Sequence, residues 1–193
     1  MKKIVDFLFE MSFLKVTPRT GFAFLGSGSE SVAEHGFGAV LAGYALSRLD
    51  PEADASKVLI MCLFHDALEA RTGDHNYVYK RYVTSDEEKA LHHLTEKLPF
   101  GPEVAEVIRE YGEGSSREAQ LAHDADQLDL LLSLKKQKDL GNAYAETWIG
   151  HLLKRFQTEP GKAIARAVLE SDQSDWWFKG HDHWWENKRR GLT

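Results

Sequence analysis

An apolar run that ends in a histidine and an aspartate is the part of this sequence with the clearest chemical meaning. Residues 58–64 are all apolar and lead directly into His65 and Asp66, and Glu69 follows three positions later. A run this apolar predicts burial, and burying an imidazole and two carboxylates is costly unless something pairs with them. A divalent metal ion is the simplest such partner, because histidine and aspartate together suit borderline to hard ions.

The other ligands of such an ion should lie elsewhere in the chain, which contains three His-Asp pairs. His181-Asp182 lies in an irregular tail and is expected at a surface or interface, whereas His123-Asp124 falls within the longest predicted helix. Spacings of three and four place a small, acidic set of residues on one face of that helix: Ala119, Ala122, Asp126, Asp129 and Ser133. The face is either solvated or directed at a buried metal, in which case Asp126 is the ligand and Asp129 supports it.

Helical periodicity and capping patterns predict an all-α fold. The capping-box pattern of Ser31 and Glu34 puts His35 in the first turn of a helix. The three glycines of that helix predict that another backbone packs very close to it. No linker divides the chain, so residues 1–193 are expected to form a single domain. Helices are predicted at about 3–14, 31–49, 56–68, 84–98, 102–112, 115–139, 142–157 and 161–171, with loops at 15–28 and 74–83.

Composition and charge narrow the function classes. The 24 basic and 30 acidic residues give a net charge of −6, which argues against a nucleic-acid polymer as the partner. The single cysteine, Cys62, cannot form an intrachain disulfide, so a reducing, cytoplasmic location is expected. The N-terminus has no signal-peptide pattern, and no apolar run is long enough to span a bilayer, so no membrane partner is expected.

The order His35, His65-Asp66, Asp126 resembles the H…HD…D pattern of HD-domain metal-dependent phosphohydrolases. More narrowly, the chain is similar to the 5′-deoxynucleotidase branch of that superfamily. Four segments carry this narrower resemblance and spread over most of residues 14–135: LKVTPRTGF (14–22), ESVAEH (30–35), HDALEARTGD (65–74) and REYGEGSSREAQLAHDADQLD (109–129). The resemblance implies a single HD-domain helical bundle with a metal site in its core. The Trp-rich tail, residues 172–193, has no counterpart in it.

The resemblance also implies a site. One divalent ion (Mn, Co, Mg, Zn or Fe) would be held by His35, His65, Asp66 and Asp126. Glu69 and Asp74 match the two catalytic carboxylates that are not ligands, one acting on the water and the other on the leaving sugar oxygen, in an order left open. The substrate would be contacted by Arg19, which resembles a phosphate-binding arginine, by Phe22, which stands where the family often has a sugar-packing Trp, and by His35, Asp66, Asp74 and Asp126.

The implied activity is metal-dependent hydrolysis of (deoxy)nucleoside 5′-monophosphates. Two alternatives remain open: an HD-type hydrolase of another phosphate, such as a triphosphate, an alarmone or a cyclic dinucleotide, or a non-catalytic HD protein that binds a nucleotide. The family is commonly dimeric, so a homodimer is expected. The aromatic tail, including Trp176 to Phe178, is expected to pack on its own core or on a second subunit.

Overall fold

The computed structural model describes residues 1–181, and no β-strand occurs among them. This confirms the predicted all-α fold class. No helix in that range is both long and apolar enough to cross a lipid bilayer. The α-helices are α1 (Lys2–Phe13), α2 (Phe22–Leu25), α3 (Val32–Leu49), α4 (Ala55–Phe64), α5 (Glu69–Thr72), α6 (Glu87–Thr95), α7 (Gly101–Glu113), α8 (Arg117–Asp139), α9 (Ala143–Leu152) and α10 (Glu159–Glu170).

The long helix α8 lies at the centre of the fold and packs against α3, α4, α9 and α10. Helices α3 and α4 also pack against each other, so three helices meet around one core. Polar groups on their facing sides are therefore removed from water. The buried residues that α8 contributes are mostly small or leucine: Ala119, Leu121, Ala122, Ala125, Leu128, Leu131 and Leu134.

A second, smaller core supports the turn that follows α4. It is formed by residues of α1, α6 and α7, and Phe7 meets the ring of Phe100 edge-on with 5.6 Å between ring centroids. Ala67 and Leu68 from the turn are buried in this core. His65 and Asp66 on one side, and Glu69 on the other, are consequently held in position by the packing of this core.

The capping box that was predicted to start α3 is present. The Ser31 Oγ accepts a hydrogen bond from the Glu34 backbone N–H at 3.2 Å, and the Glu34 carboxylate accepts one from the Ser31 N–H at 2.7 Å. These bonds satisfy backbone donors that a helix N-terminus leaves free. His35 is thereby fixed in the first turn, where it is completely buried.

Several predicted helix boundaries were wrong by a few residues. Helix α6 starts after Asp86 rather than Thr84, because the Asp86 carboxylate accepts the Lys89 N–H at 3.0 Å and so caps the helix. Residues 65–68 form a turn and do not continue α4. Pro160 does not separate two helices but lies in the first turn of α10, where proline is tolerated because its missing N–H would be unpaired anyway.

The apolar run of α4 is not buried throughout, contrary to prediction. Val58, Met61 and Cys62 face the core, but Ile60 and Leu63 are 43% and 60% exposed. The difference follows from helical geometry, because a run of seven residues makes almost two turns and must point in every direction. The buried face of α4 still packs in the core, and His65 follows directly at the C-terminal end of this helix.

The glycines of α3 accommodate side chains, so the prediction of a close backbone was wrong. A Cβ built on Gly38 would lie 1.7 Å from Asp129 Oδ1, and one built on Gly43 would lie 2.7 Å from the Cys62 sulfur. Gly36, in contrast, has no neighbour within 4 Å of such an atom. Gly38 thus leaves the space in which the Asp129 side chain of α8 packs against α3.

The second His-Asp pair has a structural role. Asp124 is fully buried, and its carboxylate accepts hydrogen bonds from the Gln157 N–H, the Thr158 N–H and the Thr158 hydroxyl at 2.6–2.8 Å. It therefore holds the start of α10. His123 stacks on Tyr111 with 4.0 Å between ring centroids, and its Nε2 lies 2.8 Å from the Tyr111 carbonyl oxygen.

The first aromatic residue of the tail does not pack on the core. Trp176 is 82% exposed. Of the two predicted settings for the tail, packing on a second subunit stays a prediction for this residue. Asp182, Trp184 and Trp185 lie outside the described residues.

Replacing Asp124 by alanine should destabilise the protein strongly, because three donors just before α10 would lose their fully buried acceptor. We expect the free energy of unfolding to fall by about 2–4 kcal/mol, measured by chemical denaturation. The matched control is Asp6→Ala, which removes an exposed carboxylate from α1 and should change stability by less than about 0.5 kcal/mol. Equal effects of the two substitutions would contradict the capping role.

Candidate metal centre and phosphate site

His35 is oriented by an aspartate from the neighbouring helix. Its Nδ1 lies 2.7 Å from Asp129 Oδ2, across the α3–α8 contact that Gly38 permits. A carboxylate on Nδ1 fixes the tautomer and ring orientation of a histidine, which leaves Nε2 with its lone pair. The prediction that Asp129 supports the site agrees with this contact.

His65 and Asp66 lie where α4 ends. His65 donates its Nδ1 proton to the Cys62 carbonyl oxygen at 2.8 Å, so its Nε2 is also the free nitrogen. That Nε2 lies 3.2 Å from the Nε2 of His35. The Asp66 Oδ2 lies 3.1 Å from His65 Nε2 and 3.7 Å from His35 Nε2. Two consecutive residues reach one point because the helix stops there.

Asp126 completes the cluster from α8. Its Oδ1 lies 3.1 Å from His35 Nε2, and its Oδ2 accepts a hydrogen bond from the Gln127 amide at 2.8 Å. Tyr111 also lies against the cluster, with its ring centroid 5.4 Å from that of His65. Asp126 and Asp129 therefore both face α3, whereas Asp124 faces α10.

The donor atoms fit a divalent cation. Ligand atoms of His35, His65 and Asp126 all lie within 4.8 Å of one another. Both Nδ1 atoms are already engaged, so the two Nε2 atoms converge with carboxylate oxygens at a point that requires positive charge, which a proton on Nε2 supplies and a divalent ion can replace. Nitrogen and oxygen donors of this kind accept several divalent metals. Asp66, the fourth predicted ligand, is not a member of this group of three, although its Oδ2 lies 3.1 Å from His65 Nε2.

The electrostatics of the cluster favour positive charge. Burial lowers the pKa of His35, but hydrogen bonds with Asp126 and Asp129 outweigh it and raise that pKa to about 10. Burial raises the pKa of Asp66, but His65 and Arg19 lower it well below its usual range. The two shifts have complementary causes, because the carboxylates favour the protonated imidazole of His35 and the cationic groups favour the ionised carboxylate of Asp66.

Arg19 lies beside this cluster, in the segment predicted as a loop. Its NH1 donates to Asp66 Oδ2 at 3.1 Å and lies 4.0 Å from Asp74 Oδ1. The Arg19 backbone N–H donates to the Glu30 carbonyl oxygen at 2.9 Å, which ties the segment to the start of α3. The guanidinium thus has a fixed place next to the candidate metal ligands.

Thr20 anchors Asp74 in the same cleft. Asp74 Oδ2 accepts hydrogen bonds from the Thr20 N–H at 2.5 Å and the Thr20 hydroxyl at 2.8 Å. The Asn76 side chain in turn donates to the Thr20 hydroxyl oxygen at 3.0 Å. One oxygen of Asp74 is consequently held in place, and the other faces Arg19.

Glu69 differs from Asp74 in having a carboxylate oxygen that is buried but unpaired. Its Oε2 makes no hydrogen bond to any residue of the described chain. Burial, with Asp66 and Asp74 nearby, raises the pKa of Glu69 to about 8. A carboxyl group in this state can carry a proton near neutral pH.

These residues line one open cavity of about 470 Å³. Arg19, Asp66, Glu69, Asp74 and Asp126 form its charged end, and Phe22, at the start of α2, lies on the cavity wall as well. The cavity extends away from the charged end between α8, α9 and the loop after Asp74. A ligand with one anionic and one apolar end matches this division.

The sequence analysis singled out every residue of the charged end, and the structure brings them together. It missed Thr20 and Tyr111, although both lie inside the segments that carry the family resemblance. It also missed Gln127, Trp148 and Arg155 on the cavity wall. Trp148 and Arg155 follow no motif or ligand spacing, so only the fold reveals them.

An all-α bundle that gathers two imidazoles and two carboxylates beside an arginine has the architecture of a metal-dependent phosphohydrolase. Comparison with known proteins agrees. The chain belongs to the HD domain family, whose model matches residues 11–168. The protein is accordingly a metal-dependent phosphohydrolase.

Two relatives carry a more specific name. The chain is 29% identical over 168 residues to 5′-deoxynucleotidase hdd1 of Schizosaccharomyces pombe, a match that covers 78% of this chain and 82% of the relative. It is also 29% identical over 187 residues to 5′-deoxynucleotidase HDDC2 of Mus musculus, with 86% and 93% covered.

Solved structures show the same fold. A protein from Pyrococcus horikoshii is 31% identical with a TM-score of 0.70, and the match covers 85% of this chain and 97% of that one. A protein from Magnetospirillum magnetotacticum, described as a predicted metal-dependent phosphohydrolase, has a TM-score of 0.69 at 24% identity, with 88% and 90% covered. At that identity the second likeness concerns the fold alone.

Replacing Gly38 by alanine should displace Asp129 and release His35. The new methyl group would overlap the Asp129 carboxylate, so we expect a loss of about 1–3 kcal/mol in unfolding free energy, measured by denaturation, together with weaker binding of Mn²⁺ in calorimetric titration. Gly36→Ala is the matched control, because it lies in the same helix with open space around it and should gain up to about 1 kcal/mol. Similar stability in the two variants would contradict the contact.

Proposed function

We propose that this protein releases phosphate from deoxynucleoside 5′-monophosphates with the help of one divalent ion. The observation that carries the proposal is the place of Arg19, whose guanidinium lies 3.1 Å from Asp66 at the edge of the candidate metal cluster. An arginine there offers a fork of donors to the oxygens of a phosphate. The names of the two relatives support the choice of a deoxynucleotide.

The ion would be held by His35, His65, Asp66 and Asp126, a donor set that suits it. Such an ion lowers the pKa of a water molecule and withdraws charge from a phosphoryl oxygen. Arg19 would bind another phosphoryl oxygen and exchange its contact with Asp66 for the substrate. The phosphate would in this way be oriented between two positive charges.

Glu69 and Asp74 would divide the proton transfers between them. Asp74 is held by Thr20 and keeps one oxygen as an acceptor, which suits a base that orients the attacking water. Glu69, whose buried Oε2 is unpaired and whose pKa is raised to about 8, suits the acid that protonates the leaving 5′-oxygen. Phe22 on the cavity wall would pack against the sugar.

A panel of substrates tests the proposed activity. We expect metal-stripped protein, supplied with Mn²⁺, Co²⁺, Mg²⁺, Zn²⁺ or Fe²⁺ in turn, to release phosphate from deoxynucleoside 5′-monophosphates, detected as free phosphate. Ribonucleoside monophosphates show whether Phe22 discriminates the sugar, and triphosphates, alarmones and cyclic dinucleotides are the competing substrates. If no monophosphate released phosphate with any of the metals, the proposal would be overturned.

The leaving group tests the role of Glu69. Glu69→Gln cannot deliver a proton, so turnover of a deoxynucleoside monophosphate should fall by about 10²–10⁴-fold while the metal content stays unchanged. p-Nitrophenyl phosphate should lose far less, because nitrophenolate leaves without protonation. Glu113→Gln is the control, since Glu113 is exposed at the end of α7. Equal losses on both substrates would assign Glu69 to the water instead.

We further propose a homodimer in a reducing, cytoplasmic compartment. Phe37, Leu41 and Tyr44 lie on one face of α3 at spacings of four and three, and each is more than half exposed. An exposed apolar face of this kind favours a protein interface. Light scattering after size-exclusion chromatography should give twice the chain mass of 21.9 kDa, and Leu41→Glu should halve it. A monomer in both samples would contradict the dimer.

A further inference from the structure

The cleft continues beyond its charged end into an apolar compartment of about 400 Å³. The walls that matter here are Tyr77 from the loop after Asp74, Leu130 and Leu134 from α8, Trp148 from α9 and Arg155 from the turn after α9. All five also line the cavity whose charged end contains Asp66 and Asp126. The two spaces are therefore one continuous cleft with a charged end and an aromatic end.

Trp148 joins the two ends. The outer edge of its ring lies 3.8 Å from the position of a Cβ on Gly21, which is ordinary van der Waals contact. Gly21 is two residues after Arg19 in the chain, so the Trp148 indole lies next to the segment that contains the candidate phosphate-binding arginine. A group attached to a phosphate at Arg19 enters the space beside this ring.

A chain of hydrogen bonds also runs between the ends. Gln127 donates to Asp126 at 2.8 Å and accepts from Arg155 NH1 at 3.4 Å. The Arg155 guanidinium lies over the Tyr77 ring at 4.9 Å from its centroid. Arg155 is thus held at the aromatic end, with most of its five N–H donors still available.

We propose that this aromatic compartment binds the nucleobase, with Trp148 as the stacking surface and Arg155 as the group that recognises the edge of the base. The proposal rests on the proposed function, because it assumes a nucleoside monophosphate whose phosphate lies at Arg19. The aromatic, aliphatic and single cationic side chains of the walls suit a flat, aromatic ring with a few polar atoms at its edge. Indole stacks on every base, so Trp148 supplies affinity without selecting one base.

Arg155 introduces a preference, because a guanidinium can only donate hydrogen bonds. Guanine and thymine present a carbonyl oxygen where adenine and cytosine present an amino group. An amino group at that position is also a hydrogen-bond donor, so it could not form a hydrogen bond with the guanidinium. Arg155 therefore favours guanine and thymine, which present a carbonyl oxygen at this position of the base edge.

The experiment compares KM for four deoxynucleoside monophosphates with KM for 2-deoxyribose 5-phosphate, which lacks a base. Trp148→Leu should raise KM for all four nucleotides by about 10-fold or more and leave the base-free substrate unchanged. The control is Tyr144→Leu, which removes an exposed aromatic ring from the same helix. An equal effect on the base-free substrate, or no effect on the nucleotides, would overturn the assignment of the compartment.

Arg155 is tested on the same panel. The unmodified protein should bind dGMP and dTMP with a lower KM than dAMP and dCMP, and Arg155→Met should abolish that difference. Lys154→Met removes a neighbouring exposed cation and should preserve it. A uniform change for all four bases would overturn the recognition role. Failure of the proposed function is distinct, since the unmodified protein would then hydrolyse no monophosphate at all.

Discussion

The convergence of two imidazoles at one buried point is the constraint on which the rest of this structure depends. The Nε2 atoms of His35 and His65 lie 3.2 Å apart, and both rings use Nδ1 elsewhere. Such an arrangement is stable only if positive charge lies between the rings and the surrounding carboxylates. The packing of α3, α4 and α8 is therefore coupled to the charge of this cluster, so the core of the fold and the candidate metal centre are the same place.

Helix α8 separates structural from chemical carboxylates by direction alone. Asp124 points toward α10 and holds its first turn, whereas Asp126 and Asp129 point toward α3 and meet His35. A step of two residues on a helix, from Asp124 to Asp126, is enough to turn a side chain from one neighbour to another, whereas the step of three to Asp129 keeps the side chain on the same face. Gly38 allows Asp129 to point toward α3, because any larger residue at position 38 would occupy the space of the Asp129 carboxylate.

Local patterns predicted the all-α class and a metal-binding His65-Asp66 pair, whereas Arg19 and Asp74 at the charged end were predicted only through the family resemblance. His35 follows a capping box, and the His65-Asp66 pair follows an apolar run, so each could be recognised within one segment. Burial was overestimated at Ile60 and Leu63, since composition does not reveal which face of a helix meets the core. The aromatic end was missed because Tyr77 and Arg155 lie 78 residues apart and only the fold brings them together.

The two ends of the cleft are built differently. The charged end draws on helices of the central core, where a small displacement of His35 or Asp126 would disturb packing and donor geometry together. The aromatic end shares α8 with the core but adds the loop after Asp74, α9 and the turn that follows it, and Tyr77 is 60% exposed there. Substitutions at that end alter the shape of the cleft without touching the imidazole cluster. Under the proposed assignment, base preference is set at Arg155, which lies outside the main core, so it can change without disturbing the packing around the imidazole cluster.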